Sequence, residues 1–234
     1  MAVVIRNQFY VAIALVLAAL IFGGFARTYY LRAWFEVPPI TMLLHLHSIV
    51  FTTWFALFVI QTRLIAAHRI RAHMQLGIAA ATVAALVVIL GVATAVVSAS
   101  AARPRPMGMN SAQFVFVPLT AMLFFAMLVT AAVALRHRSA WHKRLMTLAM
   151  IAVLGPPVAR LIALTQNGEH FLAIQTAVCA AFVSWCLGSD WLQSRLVHPI
   201  YAVGGTALVL SWPVRALIAR TNSWERVGHW LAGL

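Results

Sequence analysis

Acidic residues are scarce in this sequence, with four Asp and Glu against 17 Lys and Arg in 234 residues. Paired carboxylates drive many hydrolases and hold Mg²⁺ or Ca²⁺, so this shortage nearly excludes both kinds of site. The sequence also has no phosphate-binding loop, no His-Glu-x-x-His and no Cys-x-x-Cys motif. Its two cysteines, Cys179 and Cys186, share one apolar run and require no disulfide.

Charge of either sign is rare as well, because charged residues make up 9% of the chain and hydrophobic residues 63%, with a mean hydropathy of +0.92. Apolar runs of about 20 residues match a bilayer core of roughly 30 Å. Backbone polar groups must be paired in lipid, so such runs must be helical. A net charge of +13 could indicate nucleic-acid binding, but most Lys and Arg lie in short turns, which instead indicates contact with anionic lipid headgroups.

Seven apolar runs predict an all-α, polytopic transmembrane bundle that forms a single domain, with spans at about 8–26, 41–66, 73–100, 111–135, 142–165, 171–191 and 200–217. The first run has no convincing cleavage site, so we interpret it as a span and not as a signal peptide. After the last span, Asn222 and Glu225 have the spacing of a capping box, and apolar residues follow at helical spacing. Residues 222–234 are therefore predicted to form a helix on the membrane surface.

A polar segment occurs twice between apolar runs, as His-Arg-Ile-Arg-Ala-His at 68–73 and as His-Arg-Ser-Ala-Trp-His at 137–142. The shared pattern His-Arg-x-x-x-His predicts the turns of two tandem helical hairpins, 41–100 and 112–165, with a degenerate third hairpin at 171–217. We expect His68 to superpose on His137, and His73 on His142. Both turns fall on one side of the membrane, and their density of Lys and Arg predicts that this side is cytoplasmic, although the arginines of the C-terminal tail argue mildly for the opposite orientation.

The second repeat continues through Pro156-Pro157 and Arg160, and a third turn at 195–201 reads Arg-Leu-Val-His-Pro-Ile-Tyr before Gly204-Gly205. Over roughly 40–215 the chain resembles a widespread, uncharacterised family of bacterial polytopic inner-membrane proteins, catalogued only as a domain of unknown function. The resemblance implies a helical bundle in the bacterial inner membrane. It implies no activity, because the family has none to carry over.

The second span carries a polar stripe in which His47, Trp54, Gln61 and His68 recur every seven residues. A helix brings such residues to one face, with a drift of about 20° per heptad. Polar residues in a span usually face the bundle interior. The stripe therefore predicts either the lining of a cofactor, ion or proton path, or hydrogen bonds that merely fix helix packing.

His45 lies two residues from His47, so the two side chains face nearly opposite ways. Haem b can take each axial histidine from a separate helix, and His170 opens the sixth span on the same side of the bundle. These three residues are therefore candidate haem ligands. A histidine near a span end is also commonly an interface residue, and that interpretation stays open.

Arg160 lies in the fifth span, just past Pro156-Pro157. A guanidinium in hydrocarbon is costly and cannot shed its proton, so it needs a partner. It is predicted to hold an acceptor such as a haem propionate, a quinone oxygen or a substrate carboxylate, with Trp54 stacking on the guanidinium. The alternatives are pairing with Glu169 or reaching out to the headgroups.

The two turns carry four histidines: His68, His73, His137 and His142. Imidazoles can bind zinc, copper or iron, and Asp190 is a candidate fifth group. The alternative is that they satisfy helix ends and bind lipid phosphate. On the other side of the bundle, Met107 and Met109 face the histidines of the second span and offer soft ligands for Cu(I).

Two classes of function follow from these residues. The first is a redox-linked membrane protein that holds haem b or a quinone at the level of His45, His47, Arg160 and His170. The second is a non-enzymatic membrane component, such as an assembly factor, a partner subunit, or a small-molecule or ion permease. The sequence leaves open whether the protein is an enzyme.

Overall fold

The computed structural model describes residues 2–100, 105–165 and 168–233. Within these ranges the chain is helical and contains no strand, which confirms the predicted fold class. Seven helical segments are long and apolar enough to cross a membrane, as predicted: Gln8–Tyr30, Met42–Ala66, Ile70–Ala99, Ser111–Ala134, Ser139–Leu164, Gly168–Ser194 and Ile200–Ala219. These seven candidate spans indicate a multi-pass membrane protein.

In the described part of the chain, ten α-helices make up these spans and the tail. They are α1 Ala2–Phe25, α2 Met42–Ala66, α3 Ile70–Ala99, α4 Ser111–Phe114, α5 Phe116–Ala134, α6 Ser139–Ala152, α7 Gly155–Leu164, α8 Phe171–Ser194, α9 Thr206–Ala219 and α10 Asn222–Ala232. Two π-helical turns extend the spans, Ala26–Tyr30 after α1 and Ile200–Gly205 before α9. We call the end of the bundle that carries the turns after α2 and α5 the turn face, and the opposite end the loop face.

The fifth span lies at the centre of the bundle. Its apolar stretch is 72% buried inside the protein, whereas none of the other candidate spans exceeds 39%. It consists of two helices, α6 and α7, because Pro156 and Pro157 lack the amide hydrogens that would continue the helical ladder. Gly24 of α1 packs against this break, where an added Cβ would lie 2.5 Å from the Pro157 carbonyl oxygen. Glycine is therefore required for α1 to approach α7.

The two repeat turns have matching local geometry on the side where the second helix begins. Arg69 and Arg138 precede α3 and α6, and their carbonyl groups accept hydrogen bonds from His73 and His142 at 3.1 and 3.0 Å. The first turn is one residue shorter, since α2 ends at Ala66 and α5 at Ala134. His68 adopts a positive φ of 57° in the shorter turn. The superposition of the whole hairpins stays a prediction.

Helix α10 packs across the loop-face end of the bundle. It is capped by Thr221, whose hydroxyl accepts from the Trp224 amide at 3.3 Å, so the predicted cap at Asn222 is one residue too late. The indole of Trp224 donates to the Ala112 carbonyl at 3.0 Å, and Gly228 lies so close to Ala112 that a Cβ would overlap its backbone. Helix α10 is therefore fixed to α4, while its place at a membrane surface stays a prediction.

Candidate functional site

The loop-face half of the bundle encloses a cavity of about 400 Å³, to which all seven spans contribute. We call it the loop-face cavity. Its lining on α2 runs from Leu44 to Phe55, about 16 Å at 1.5 Å per residue. Its walls are mainly aromatic and aliphatic side chains, among them Phe25, Phe51 and Met122. Such a cavity suits a small molecule with an apolar body and a few polar groups.

Small residues of α3 form part of one wall of this cavity. Gly91, Ala95 and Ala99 recur every four residues on α3 and all line the cavity. This spacing permits close helix contact: Ala95 and Ala99 pack against Val115 beside the cavity, and an added Cβ at Gly91 would overlap the side chain of Met122. A larger residue on this stripe would fill the cavity.

Arg160 lies on the wall of the loop-face cavity and is half-buried. Its Nη1 donates to the Pro156 carbonyl at 3.0 Å, and its guanidinium lies 4.3 Å from the centre of the Phe25 ring. The aromatic ring beside the guanidinium is thus that of Phe25. The sequence had suggested Trp54. Glu169, the predicted alternative partner, instead contacts His170 on the surface, with 3.3 Å between Oε1 and Nε2. Arg160 therefore presents its charge at the cavity wall.

His47 lines the same cavity and packs its ring on Phe51, with 4.4 Å between ring centres. Its Nδ1 is buried and has no hydrogen-bond partner among the described residues. The imidazole also interacts with the Leu90 carbonyl, which a ring N–H can satisfy. Thr94 lies one turn beyond Leu90 on α3 and contributes a second buried polar atom to the wall. Its hydroxyl oxygen also has no hydrogen-bond partner in the part of the chain described. The wall therefore offers polar atoms that no group within the described ranges satisfies.

The other predicted cofactor-binding residues do not line the cavity. His45 packs against Tyr29, with 5.9 Å between ring centres. Trp54 is buried in the core against Phe125, at 5.3 Å. His170 is exposed and paired with Glu169. Of the five residues predicted, the structure brings only His47 and Arg160 to one cavity.

The structure adds polar residues that sequence reasoning missed. The hydroxyl groups of Tyr30 and Thr52 lie 2.9 Å apart at the cavity wall. Arg105 lines the cavity near its loop-face end, where it donates to the Ser98 carbonyl and lies 3.4 Å from the Ser111 hydroxyl. Tyr30 was interpreted only as part of an interfacial aromatic belt, and Arg105 only as part of a loop. Arg105 is thus a second cation on the wall, and its positive charge makes the potential there favourable for electron-rich groups.

The four turn histidines do not form a metal cluster. His73 and His142 approach one another, with ring centres 6.3 Å apart, while His68 and His137 are exposed in the turns. Across 2–100, 105–165 and 168–233, no three His, Cys, Asp or Glu side chains gather as a metal ion would require. Met109, one of the two methionines predicted to bind copper, is buried in the apolar core, and the copper site stays a prediction.

Asp190, the predicted fifth metal ligand, pairs with Arg144 instead. The guanidinium donates from Nε at 2.9 Å and from Nη2 at 2.5 Å to the two carboxylate oxygens. Its Nη1 donates to the Ala140 carbonyl at 2.8 Å, and Asp190 also accepts the amide of His198 at 3.2 Å. Burial and the nearby positive charge of Arg144 lower the pKa of His198. This pair links α6, α8 and the third turn, so its role is structural.

No family model, curated protein or solved structure matches the chain. The resemblance to a bacterial inner-membrane family therefore stays a prediction, and the chemistry of the site rests on its own geometry.

Proposed function

We propose that this membrane protein binds a lipophilic molecule of the quinone class in the loop-face cavity, with His47 and Arg160 as the residues that hold its headgroup. The observation that carries the proposal is one apolar cavity that contains both a guanidinium and an imidazole whose buried Nδ1 has no hydrogen-bond partner among the described residues. A quinone combines an apolar tail with two oxygens, so it matches both parts of this lining.

The two side chains suit the two redox forms of such a ring. Arg160 can only donate hydrogen bonds, so it suits a quinone carbonyl oxygen. If the N–H of His47 is directed at Leu90, its Nδ1 is an acceptor and suits the hydroxyl of the reduced quinol. A neutral imidazole in this position can also take the proton of that hydroxyl, which would make binding redox-linked.

The lining favours a quinone over haem b, the other cofactor predicted from the sequence. A bis-histidine haem needs two imidazoles facing one iron. His47 is the one histidine on the described cavity wall, because His45 and His170 lie elsewhere. A haem in this cavity would need its second axial ligand from another residue type or from outside the chain. A Soret band in the purified protein would support haem and contradict this preference.

Quinone binding is tested with purified protein in detergent and a short-chain ubiquinone, followed by quenching of tryptophan fluorescence. We expect saturable quenching in the wild type. Arg160→Met removes a charge-assisted hydrogen bond of about 1.5–3 kcal/mol, which should weaken binding roughly 10-fold to 150-fold. Arg160→Lys should lose less of the quinone affinity, because the charge is kept and only the planar fork of the guanidinium is lost.

His47→Phe should also weaken binding, with a larger effect on the reduced quinol than on the quinone, because only the quinol donates to Nδ1. The matched control is His170→Phe, which changes an exposed histidine away from the cavity. Equal affinity in wild type, Arg160→Met and His47→Phe would contradict the proposal. It would favour the non-enzymatic alternative, in which the protein is an assembly factor, partner subunit or permease.

We further propose that the turn face lies in the cytoplasm of a bacterium. The turns carry four exposed arginines, Arg69, Arg71, Arg136 and Arg138, which fits cytoplasmic loops and contact with anionic lipids. Reporter fusions after Arg71 and after Arg138 test this orientation. Opposite locations for the two fusions would refute the tandem hairpins as well.

A further inference from the structure

Arg215 of α9 is a buried cation away from the loop-face cavity lining. It is 2% exposed and lies between the rings of Phe124 and Trp212, 5.0 and 4.9 Å from their centres. None of its three guanidinium nitrogens has a hydrogen-bond partner among the described residues. From its position in the sequence, Arg215 was grouped with the arginines of the C-terminal tail. The structure instead buries its side chain inside the bundle.

The aromatic rings satisfy only part of this guanidinium. They contact its faces, whereas its five N–H groups point outward in the guanidinium plane. The buried Arg144 shows what these edges normally require, because its nitrogens bind the Asp190 carboxylate and a backbone carbonyl. A guanidinium cannot discharge itself by losing a proton, so Arg215 requires an electron-rich partner.

Gln175 of α8 is a second buried polar side chain without a hydrogen-bond partner in the described part of the chain. It is 0% exposed, and neither its Nε2 nor its Oε1 has a hydrogen-bond partner within the described ranges. Cys179, one turn away on the same face of α8, interacts with both Trp212 and Arg215 of α9. Because α8 and α9 run in opposite directions, Gln175 lies one turn from Cys179 toward the loop face, and Arg215 lies about one turn from Trp212 toward the same face.

We propose that Arg215 and Gln175 bind a monovalent anion inside the bundle, which accepts hydrogen bonds from the guanidinium edge and from Gln175 Nε2. One negative charge neutralises the one cation, and the aromatic surroundings disfavour an anion of higher charge. The bound anion is either a halide or a carboxylate, since both present a compact hydrogen-bond acceptor to these donors.

The loop-face cavity gives this site a route to the exterior. Trp212 and Phe171 both line that cavity, and each lies about one turn from Arg215 or Gln175 on the same helix. The Trp212 ring therefore contacts both the cavity and the Arg215 guanidinium. Movement of the Trp212 ring would connect the two.

The anion site is tested by thermal unfolding of the detergent-solubilised protein at constant ionic strength. Sodium gluconate, whose anion is too bulky for this site, is replaced stepwise by chloride, bromide, formate or acetate. We expect the unfolding temperature to rise and saturate with either the halides or the carboxylates, which identifies the class of anion. Arg215→Met should abolish this dependence, and Gln175→Leu should raise the concentration needed for it. The control Arg220→Met, which changes an exposed arginine on the next turn, should keep it.

A second measurement uses the wild type alone, in case Arg215→Met does not fold. Iodide quenches tryptophan fluorescence on contact, so iodide at the site should quench Trp212, and the preferred anion should reverse this quenching by competition. Trp212→Phe should remove the competed component. The proposal is overturned if the wild type shows no saturable dependence on any of these anions, or if Arg215→Met and Arg220→Met respond alike.

Discussion

Breaking the ion pair between Arg144 and Asp190 should destabilise the protein more than most single substitutions. Their side chains are 11% and 6% exposed, so little water can reach either charge. In Asp190→Ala the guanidinium would lose two hydrogen bonds and keep only the Ala140 carbonyl. The amide of His198 would lose its carboxylate acceptor as well. The substitution therefore leaves a buried charge without an opposite charge.

The expected loss of unfolding free energy in Asp190→Ala is about 3–5 kcal/mol, the usual cost of removing one partner of a buried pair. For a chain of this size that corresponds to a decrease of roughly 10 °C in the unfolding temperature. Replacing both residues by leucine should recover most of the loss, because a well-packed apolar pair avoids the cost of burying either charge.

The assay is thermal unfolding in detergent of the two single leucine variants, Arg144→Leu and Asp190→Leu, and the double variant. This double-mutant cycle isolates the coupling between the two side chains. A double variant that loses the sum of the two single losses would show no coupling. That result would refute the conclusion that this pair holds α6 to α8.

Two further predictions concern packing and pH. Gly24→Ala should cost about 1–3 kcal/mol, because the added methyl group overlaps the backbone of the Pro-Pro segment, whereas Gly23→Ala, with open space around it, should be neutral or slightly stabilising by thermal unfolding. The lowered pKa of His198 means that the unfolded chain binds a proton more readily there than the folded chain does. Stability should therefore fall as the pH decreases through about 6.5, and His198→Gln should flatten this part of the pH profile; an unchanged slope would contradict the assignment.

The seven spans could be predicted from the sequence because hydrocarbon imposes its requirement on each helix separately. The turns between the paired helices followed from the His-Arg-x-x-x-His pattern for a similar reason, since a polar turn between apolar runs is a local feature. The helices α3 and α6 each begin three residues before the predicted starts at 73 and 142. The cap of α10 was misplaced by one residue, because Thr221 and Asn222 are both good caps and only the backbone conformation distinguishes them.

The residues that line the candidate site could be predicted only in part. His47 and Trp54 share a heptad position, yet one lines the cavity and the other packs in the core against Phe125. The pattern defines a helix face, but the neighbouring helices decide what covers that face at each level. Arg215 shows the same limit, because an arginine near a span end has the same sequence context whether it faces lipid or α8.

The division of the fifth span at Pro156-Pro157 has a consequence for how this protein can diverge. Helix α6 carries the ion pair with α8, so changes there affect whether the chain folds at all. Helix α7 starts a new hydrogen-bond ladder and contributes Arg160 to the cavity. Residues of α7 that line the cavity can therefore be changed without disturbing the ion pair that joins α6 to α8.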